Sequence, residues 1–392
     1  MRVLRRGSPL LGEVVGIDAG EAIVMPLGDA AGVGVDDEVQ ATGRPLEVPV
    51  SDELLGRVLG GLGEPIDRGP ALGAARLRAV DAAPPPALTR SPITRQIPTG
   101  LRAIDALLSL GEGQRVGLFA GSGVGKSTLL GAIARGAEAD VVVVALVGER
   151  GREVGEFLRE SLGEQGLRKS VVVVATSDAP ALERLRAAQV ATCIAEHFRD
   201  AGRKVLLLVD SVTRFARAQR EVGLAAGEPP TRRGYPPSVF AMLPRLLERS
   251  GQSSRGSITA IYTVLVEGGD MDEPIADEVR GIVDGHVVLD RAIASRGRYP
   301  AIDVLGSLSR VMSGIVGEPH RTQAIKLRQL LGAYESKRDL VAMGAYAKGS
   351  DRLVDTAIAR LGAIDAFLGQ RPEERSDLKS TLEALAKLTS GV

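Results

Sequence analysis

A glycine-dense turn stands between an apolar run and a helix-forming stretch at residues 116–128, which read VGLFAGSGVGKST and continue into LLGAIA. Glycines in such a turn allow backbone torsions and close approaches that a side chain would block, so that successive N–H groups point at phosphate oxygens. The strict phosphate-loop pattern has glycine where this chain has Ala120, which is also small. The segment therefore predicts the strand, phosphate loop and helix of a nucleotide-hydrolysing enzyme.

The last residues of this loop carry the predicted chemistry. Lys126 reaches the β and γ phosphates of the nucleotide, and the Ser127 hydroxyl ligates Mg²⁺. A glycine-rich turn with a surface lysine is the alternative, and the strand before the turn and the helix after it favour the phosphate loop. The predicted nucleotide contacts are Gly121, Ser122, Gly123, Val124, Gly125, Lys126, Ser127 and Thr128.

Two acidic residues follow other apolar runs. Asp210 ends the run VLLLV, and an aspartate at the carboxyl end of a buried parallel strand is placed to hold Mg²⁺ or its water shell. Glu149 follows the run at 141–146 and lies in a glycine-containing turn, where a carboxylate orients or deprotonates the water that attacks the γ-phosphate. Alone, Asp210 would be weak evidence because many strands end in aspartate, and Glu149 would be a solvated acidic residue in a charged turn. The phosphate loop makes both of them candidates.

Composition limits the other classes of function. Lys plus Arg and Asp plus Glu are both 49, so the formal charge of +0 provides no global basic field for nucleic acid. The single cysteine, Cys193, excludes an internal disulfide and fits a reducing cytoplasm; its helical, apolar surroundings predict a buried core residue. The three histidines show no metal-ligand spacing, and no run is apolar enough for a membrane span. We therefore expect a soluble, cytoplasmic protein, with any membrane contact peripheral.

The chain length of 392 residues predicts two or three domains. Short apolar runs punctuated by glycine and proline predict an amino-terminal β domain, and a proline-rich run follows it. Apolar runs then alternate with helical patterns, which predicts an α/β core with a mostly parallel sheet. Beyond it, leucines and isoleucines recur every three or four residues, as in helices. The predicted units are a partial β-barrel at 1–80, a linker at 81–94, the core at 95–320 and a helical domain at 321–392.

Several long motifs resemble those of the type III secretion ATPase family, which includes the flagellar export and injectisome ATPases and is similar to the catalytic subunit of rotary ATP synthases. The resemblance covers almost the whole chain. It implies a RecA-like nucleotide-binding core and a homohexamer with composite active sites between neighbouring subunits. The motifs are GERGREV, the run at 210–249 that begins DSVTRFARAQREVG, YPAIDVLGSLSRVM at 299–312 and AYAKGSD at 345–351.

The resemblance also implies roles for individual residues. Lys126 and Ser127 match the phosphate-loop lysine and the Mg²⁺ ligand, Glu149 matches the catalytic carboxylate, and Asp210 matches the Mg²⁺-linked aspartate. Arg310 matches the arginine finger that enters the neighbour's site, Tyr299 matches the aromatic residue that packs on adenine, and Arg152 lies in the Glu149 turn, close enough to help order the site. The role of Arg214 stays open between the site and a subunit interface.

The function implied by the resemblance is ATP hydrolysis that energises type III protein export, with ATP and Mg²⁺ as substrate and cofactor. The implied partners are the homohexamer, a central stalk protein, chaperone–effector complexes and the export gate, with peripheral association at the inner membrane. Arg232 and Arg233 lack the aromatic residues that stack nucleic-acid bases, so we expect no nucleic-acid binding.

One feature departs from the family pattern, and another distinguishes between branches of the family. Relatives usually begin several dozen residues before EVVGIDAG, so we expect an incomplete barrel, weak ring assembly and low basal activity. The segment 264–291, particularly DEVR at 277–280, leans towards the injectisome branch.

Three other readings share the core. A catalytic subunit of a rotary proton or sodium ATPase would need an acidic stalk-contacting tip, which residues 330–370 lack. A hexameric RNA translocase is disfavoured by the neutral charge, and a non-catalytic ring subunit is disfavoured by the presence of Glu149.

Overall fold

The structure is a computed structural model that describes residues 1–5, 9–73 and 75–392. An antiparallel sheet at the amino terminus contains β1 (Arg2–Leu4), β2 (Leu10–Asp18), β3 (Glu21–Pro26) and β4 (Glu38–Gln40), in the order β3-β2-β1-β4. Ala19 and Gly20 both have positive φ, which gives the hairpin between β2 and β3 the twist that its strands require. This sheet is the barrel-like part of the molecule.

The rest of the predicted β segment connects this sheet to the core. β5 (Glu47–Val50) and β7 (Arg76–Ala79) form an antiparallel pair, and the inward valines Val48 and Val50 are buried. Between them, β6 (Val58–Gly60) leaves the pair and lies parallel to a strand of the central sheet. A strand from within residues 1–80 is therefore part of the core sheet.

The central sheet confirms the predicted parallel-stranded core. Besides β6, its strands are β8 (Arg115–Ala120), β9 (Val141–Glu149), β10 (Ser170–Thr176), β11 (Lys204–Asp210), β12 (Gly251–Gln252), β13 (Ser257–Leu265), β14 (Gly285–Leu289) and β15 (Ile302–Ser309). Their order is β15-β14-β8-β13-β11-β9-β10-β6, with β12 beside β13. The ladders are parallel except those of β15 and β12.

Helices cover both faces of this sheet. The helices are α1 (Arg102–Leu107), α2 (Lys126–Gly136), α3 (Gly151–Glu156), α4 (Gly163–Arg168), α5 (Ala181–Asp200), α6 (Val212–Ala225), α7 (Pro237–Leu247), α8 (Pro274–Ile282), α9 (Arg291–Ser295), α10 (Met312–Ile315), α11 (Glu318–Ala342), α12 (Arg352–Leu368) and α13 (Leu378–Thr389). Along β9, Val141 and Val143 pack with the α5 to α8 side, whereas Val142 and Val144 pack with the α1 and α2 side. A strand buried on both faces is a continuous apolar run, as the sequence of β9 shows.

The carboxyl-terminal helices α11, α12 and α13 pack on the same side of the sheet as α1 and α2. Leu327, Leu330, Ile364 and Leu385 are buried there, which confirms the predicted helical domain. Across the described ranges, none of the helices combines the length and the apolar character needed to cross a membrane.

Candidate active site

The phosphate loop joins β8 to α2 at the carboxyl edge of the sheet. Gly123 and Gly125 have φ of 78° and 86°, a region that favours glycine, and Gly125 is the residue that precedes α2. Val124 is buried and anchors the loop, whereas Ser122, Ser127 and Thr128 are exposed. Among the residues that the structure describes, no side chain caps the start of α2. The first backbone N–H groups of the helix are therefore left to face the site.

The Lys126 ammonium bridges the two carboxylates that the sequence predicted at neighbouring strand ends. Lys126 Nζ lies 3.3 Å from Glu149 Oε1 and also donates to Asp210 Oδ1. The Lys126, Glu149 and Asp210 side chains are 13%, 8% and 3% exposed. Because β8, β9 and β11 are parallel, their carboxyl ends meet at one edge of the sheet and bring these residues together.

Asp210 is held by a residue that the sequence did not single out. Thr263 Oγ1 donates to Asp210 Oδ1 at 2.7 Å from the adjacent strand β13. The Asp210–Ser211 peptide bond is cis, and the Ser211 hydroxyl accepts the Arg214 N–H at 3.3 Å at the start of α6. The sequence shows Thr263 as a strand residue, but only strand order places it beside Asp210.

The Arg214 side chain lies in the site, which is one of the two alternatives that the sequence left open. Its guanidinium is 2.8 Å from Glu149 Oε2 and also donates to the Gly148 carbonyl oxygen. Gly148 has φ of 69°, and a Cβ there would lie 2.9 Å from Arg214 Cδ, so both torsion and space require glycine. Glu149 is the last residue of β9. One of its carboxylate oxygens faces Lys126 and the other faces Arg214.

The first turn of α3 adds another carboxylate. A hydrogen bond with Glu149 and the nearby Arg150 and Arg214 guanidinium groups hold the pKa of Glu153 below its ordinary value, against the opposite effect of burial. The Lys126 ammonium and the Arg214 guanidinium therefore lie opposite the Glu149 and Asp210 carboxyl groups. A buried carboxyl group with such a cationic partner is less costly to desolvate than an unpaired one.

The structure leaves two predicted residues outside this cluster. Arg152 is exposed and lies 2.6 Å from Glu156 in a pair on the surface of α3. Arg310 follows β15, donates its backbone N–H to the Asp284 carbonyl oxygen and its side chain to the Arg280 carbonyl oxygen. β15 runs antiparallel to β14, so Arg310 lies at the amino edge of the parallel strands. The phosphate loop of the same chain lies at the other end of β8. At about 3.3 Å per residue, the two are about 20 Å apart.

Tyr299 lies against the phosphate loop. Its ring carbons are 3.3 and 3.4 Å from the point where a Cβ on Gly125 would stand, and the residue is 46% exposed. On the outer side of the loop, the Arg291 guanidinium donates to the Ser122 carbonyl oxygen at 3.4 Å. A half-exposed aromatic ring beside the phosphate loop is suited to stack on a nucleotide base.

Comparisons with known protein families match three segments. The nucleotide-binding domain of the ATP synthase alpha/beta family matches residues 100–309, and the β-barrel domain of that family matches residues 1–43. The C-terminal domain of the EscN ATPase of type III secretion systems matches residues 316–387.

Curated relatives are similar over nearly the whole chain. The flagellum-specific ATP synthase of Bacillus subtilis is 52% identical over 383 residues, which are 98% of this chain and 87% of the relative. The type 3 secretion system ATPase of Xanthomonas euvesicatoria is 55% identical over 377 residues, which are 96% of this chain and 85% of the relative.

Solved structures agree with this similarity. The assembled ATPase EscN of the enteropathogenic E. coli type III secretion system superposes with a TM-score of 0.93 at 46% identity, over 99% of this chain and 94% of that chain. EscN in complex with its central stalk EscO gives a TM-score of 0.92 at 46% identity, over 99% of this chain and 94% of that chain.

Proposed function

The chain belongs to the type III secretion ATPase family, a group within the ATP synthase alpha/beta proteins, and on this premise we propose that it hydrolyses ATP at the Lys126, Glu149 and Asp210 cluster to energise type III protein export. The observation that carries the proposal is the convergence of two strand-end carboxyl groups, Glu149 and Asp210, on the Lys126 ammonium, beside a phosphate loop whose helix start has no side-chain cap. The enzyme is an ATPase, and the proposal concerns which residues perform each step.

The loop residues bind and orient the triphosphate. The N–H groups of Gly121 to Thr128 surround the phosphate oxygens, and Lys126 exchanges one of its carboxylate contacts for the β and γ phosphates. Tyr299 packs on the adenine, which places the base on one side of the loop and the γ-phosphate on the other. Orientation of this kind removes much of the entropic barrier before any bond breaks.

Glu149 performs the proton transfer. The attacking water donates a proton to the Glu149 carboxylate while its oxygen forms a bond to the γ-phosphorus, and the bond to the β–γ bridging oxygen breaks. Arg214 holds the second carboxylate oxygen of Glu149, so that the first one keeps a constant direction towards the water.

The residues present fit a magnesium ion. The Ser127 hydroxyl and the Asp210 carboxylate supply the hard oxygen ligands that Mg²⁺ prefers, and they lie beside the loop that holds the phosphates. When bound, Mg²⁺ neutralises charge that develops on the phosphate oxygens.

Arg310 completes a neighbour's site. Because it lies at the opposite edge of the sheet from its own phosphate loop, a ring in which one subunit's amino edge faces the next subunit's carboxyl edge brings it to the neighbouring γ-phosphate. Such an arginine is worth about 10³ to 10⁵ in rate. We propose a homohexamer of this arrangement, with Arg152 ordering the Glu149 turn within it.

The proposed setting follows from the family. One solved relative is EscN in complex with its central stalk EscO, and we propose a stalk protein as a partner of this ring. Chaperone–effector complexes and the export gate are the further proposed partners. The proposed location is the cytoplasm, peripheral to the inner membrane.

The test compares the ATPase rates of Glu149→Gln, Arg310→Ala and an equimolar mixture of the two. A site between one subunit's Glu149 and its neighbour's Arg310 is intact in about a quarter of random pairings, so we expect the mixture to regain about a quarter of the wild-type rate. Each variant alone should be nearly inactive while it still binds ATP. A mixture no more active than its components would contradict action between subunits.

A further inference from the structure

The segment after α12 contacts the residue that packs on the predicted base site. The Gln370 N–H donates to the Tyr299 carbonyl oxygen at 2.8 Å, and Gln370 is 8% exposed. We propose that Gln370 is a positioning residue for nucleotide binding, which fixes the carboxyl-terminal helical domain against Tyr299 and so holds the Tyr299 ring over the phosphate loop. This inference rests on the proposed function, in which Tyr299 packs on adenine.

The Gln370 side chain joins two distant parts of the chain. Its Nε2 donates to the Gly100 carbonyl oxygen at 2.7 Å and to the Glu374 carbonyl oxygen at 2.9 Å, while its Oε1 accepts the Arg102 N–H at 2.9 Å. Both amide hydrogens and the amide oxygen are therefore used, each with a backbone partner. A buried amide with all of its donors satisfied fixes its neighbours in one arrangement.

Arg102 strengthens the same connection. Its guanidinium donates to the Phe367 carbonyl oxygen at 2.9 Å and to the Gly369 carbonyl oxygen at 2.5 Å. Phe367 lies in the last turn of α12, and Gly369 is the residue that follows the helix. A cation at this point also interacts favourably with the negative end of the helix dipole. The start of α1 in the core and the end of α12 are thereby held as one unit on which the Tyr299 carbonyl rests.

The phosphate loop does not depend on this unit. It is held by β8, by α2 and by buried Val124, whereas Tyr299 is held through its carbonyl beside a cavity of about 1350 Å³. Gln370 and Tyr299 both line this cavity, between the core and the carboxyl-terminal helices. Loss of the Gln370 side chain therefore frees the segment that supports Tyr299 and leaves the phosphate contacts unchanged.

The experiment measures two ligands by calorimetry: ADP, which has a base, and inorganic triphosphate, which has none. The variants are Gln370→Ala and Gln370→Met, of which the second keeps the side-chain volume and removes all three hydrogen bonds. Tyr299→Ala serves as the reference for lost stacking. Gln189→Ala is the matched control, because Gln189 is also 8% exposed and bonds to Arg186 on α5, away from this cavity.

We expect both Gln370 variants to raise the Kd for ADP about tenfold, which corresponds to about 1.4 kcal/mol, because the base loses part of its stacking on Tyr299. The Kd for triphosphate should stay unchanged, and steady-state kinetics should show a raised KM for ATP at constant kcat. Gln189→Ala should leave both Kd values unchanged. Agreement of these results supports the positioning role.

Three results would overturn the positioning role of Gln370. They differ in whether they also overturn the stacking of Tyr299 on the base. Weaker ADP binding in Tyr299→Ala but not in the Gln370 variants overturns the positioning role alone. Unchanged ADP binding in Tyr299→Ala overturns the stacking assignment of the proposed function, and the inference with it. Equal loss of ADP and triphosphate binding in the Gln370→Met variant shows a general structural role.

Discussion

Arg214 is the residue whose importance depends most on the folded site. Its guanidinium contacts both the Glu149 carboxylate and the Gly148 carbonyl oxygen, and its own backbone N–H is held by Ser211. The two contacts with the Gly148–Glu149 turn fix the direction of the guanidinium, and the Ser211 contact fixes the backbone at the start of α6. We infer that Arg214 orients the carboxylate that receives the proton from water.

This role predicts a selective effect on the chemical step. Arg214→Ala should lower kcat about 10- to 100-fold with little change in the KM for ATP, because a hydrogen bond to a charged group is worth about 1.5–3 kcal/mol. Arg214→Lys should recover part of kcat, since it keeps the charge but cannot reach both partners with one planar group.

The matched control for Arg214 lies one turn further along α6. Arg217 pairs with Glu267 at 3.1 Å; the Arg217 side chain is about half exposed and the Glu267 side chain is largely exposed, so Arg217→Ala should change kcat little. Steady-state kinetics at saturating ATP measure all three variants. A kcat of Arg214→Ala equal to that of Arg217→Ala would exclude the positioning role.

At the scale of elements, one aspartate closes the loop that follows β6 onto that strand, and the strand itself pairs with β10 of the core. The Asp67 carboxylate accepts hydrogen bonds from Arg57 Nε at 2.9 Å, from the Val58 N–H at 2.7 Å and from the Gly69 N–H at 2.9 Å. The side-chain hydrogen bond from Arg57, with those from Val58 and Gly69, lowers the pKa of Asp67 from 3.8 to about 2. The loop after β6 is thereby closed on the strand itself.

The lowered pKa of Asp67 predicts a pH-dependent stability. An acid whose folded pKa is depressed stabilises the fold above its unfolded pKa of 3.8, and this contribution is lost as the pH falls through about 2. Asp67→Asn should therefore cost about 1 kcal/mol at neutral pH after solvent screening, and the cost should shrink as the pH falls below 3.8.

Urea unfolding of the wild type and Asp67→Asn at several pH values measures this difference. Asp36→Asn, at an exposed aspartate in the same amino-terminal part, is the control and should unfold like the wild type throughout. A wild-type advantage that stays constant from neutral pH to acid would mean that the Asp67 charge contributes nothing.

At the scale of the whole molecule, the phosphate loop and Arg310 lie at opposite edges of the sheet, so each subunit has two edges that each carry part of an active site. The phosphate loop lies at the carboxyl edge of the parallel strands, and Arg310 lies at their amino edge. A single chain cannot bring them together without unfolding its sheet. Assembly is therefore part of the proposed catalytic mechanism.

This arrangement predicts that the ATPase rate per mole of subunit rises with protein concentration and reaches a plateau when rings are complete. The rise reflects the entry of Arg310 into neighbouring sites. ATPase assays and mass photometry on the same dilution series measure rate and assembly together. Arg310→Ala should assemble without the rise, and a wild-type rate per mole that is equal for monomers and rings would contradict the prediction.

The sequence alone determined the class of the molecule, because its signals are local. The phosphate loop, the strand-end residues Glu149 and Asp210 and the alternation of apolar runs are each readable within a dozen residues, and the family motifs extend them. The α/β fold with its helical carboxyl-terminal domain, the ATPase activity and the family were all predicted in this way and are confirmed. The roles of individual site residues stay predictions.

Only the tertiary structure decided which residues meet across the sheet. Strand order places Thr263 beside Asp210, a positive φ at Gly148 brings Arg214 to Glu149, and Gln370 reaches Tyr299 from about 70 residues away in sequence. Arg152, whose role in ordering the Glu149 turn stays a prediction, lies on the surface of α3 and pairs there with Glu156. The physical reason is that parallel strands are joined by long crossovers, so neighbours in the sheet are distant in the chain and no local pattern records their contacts.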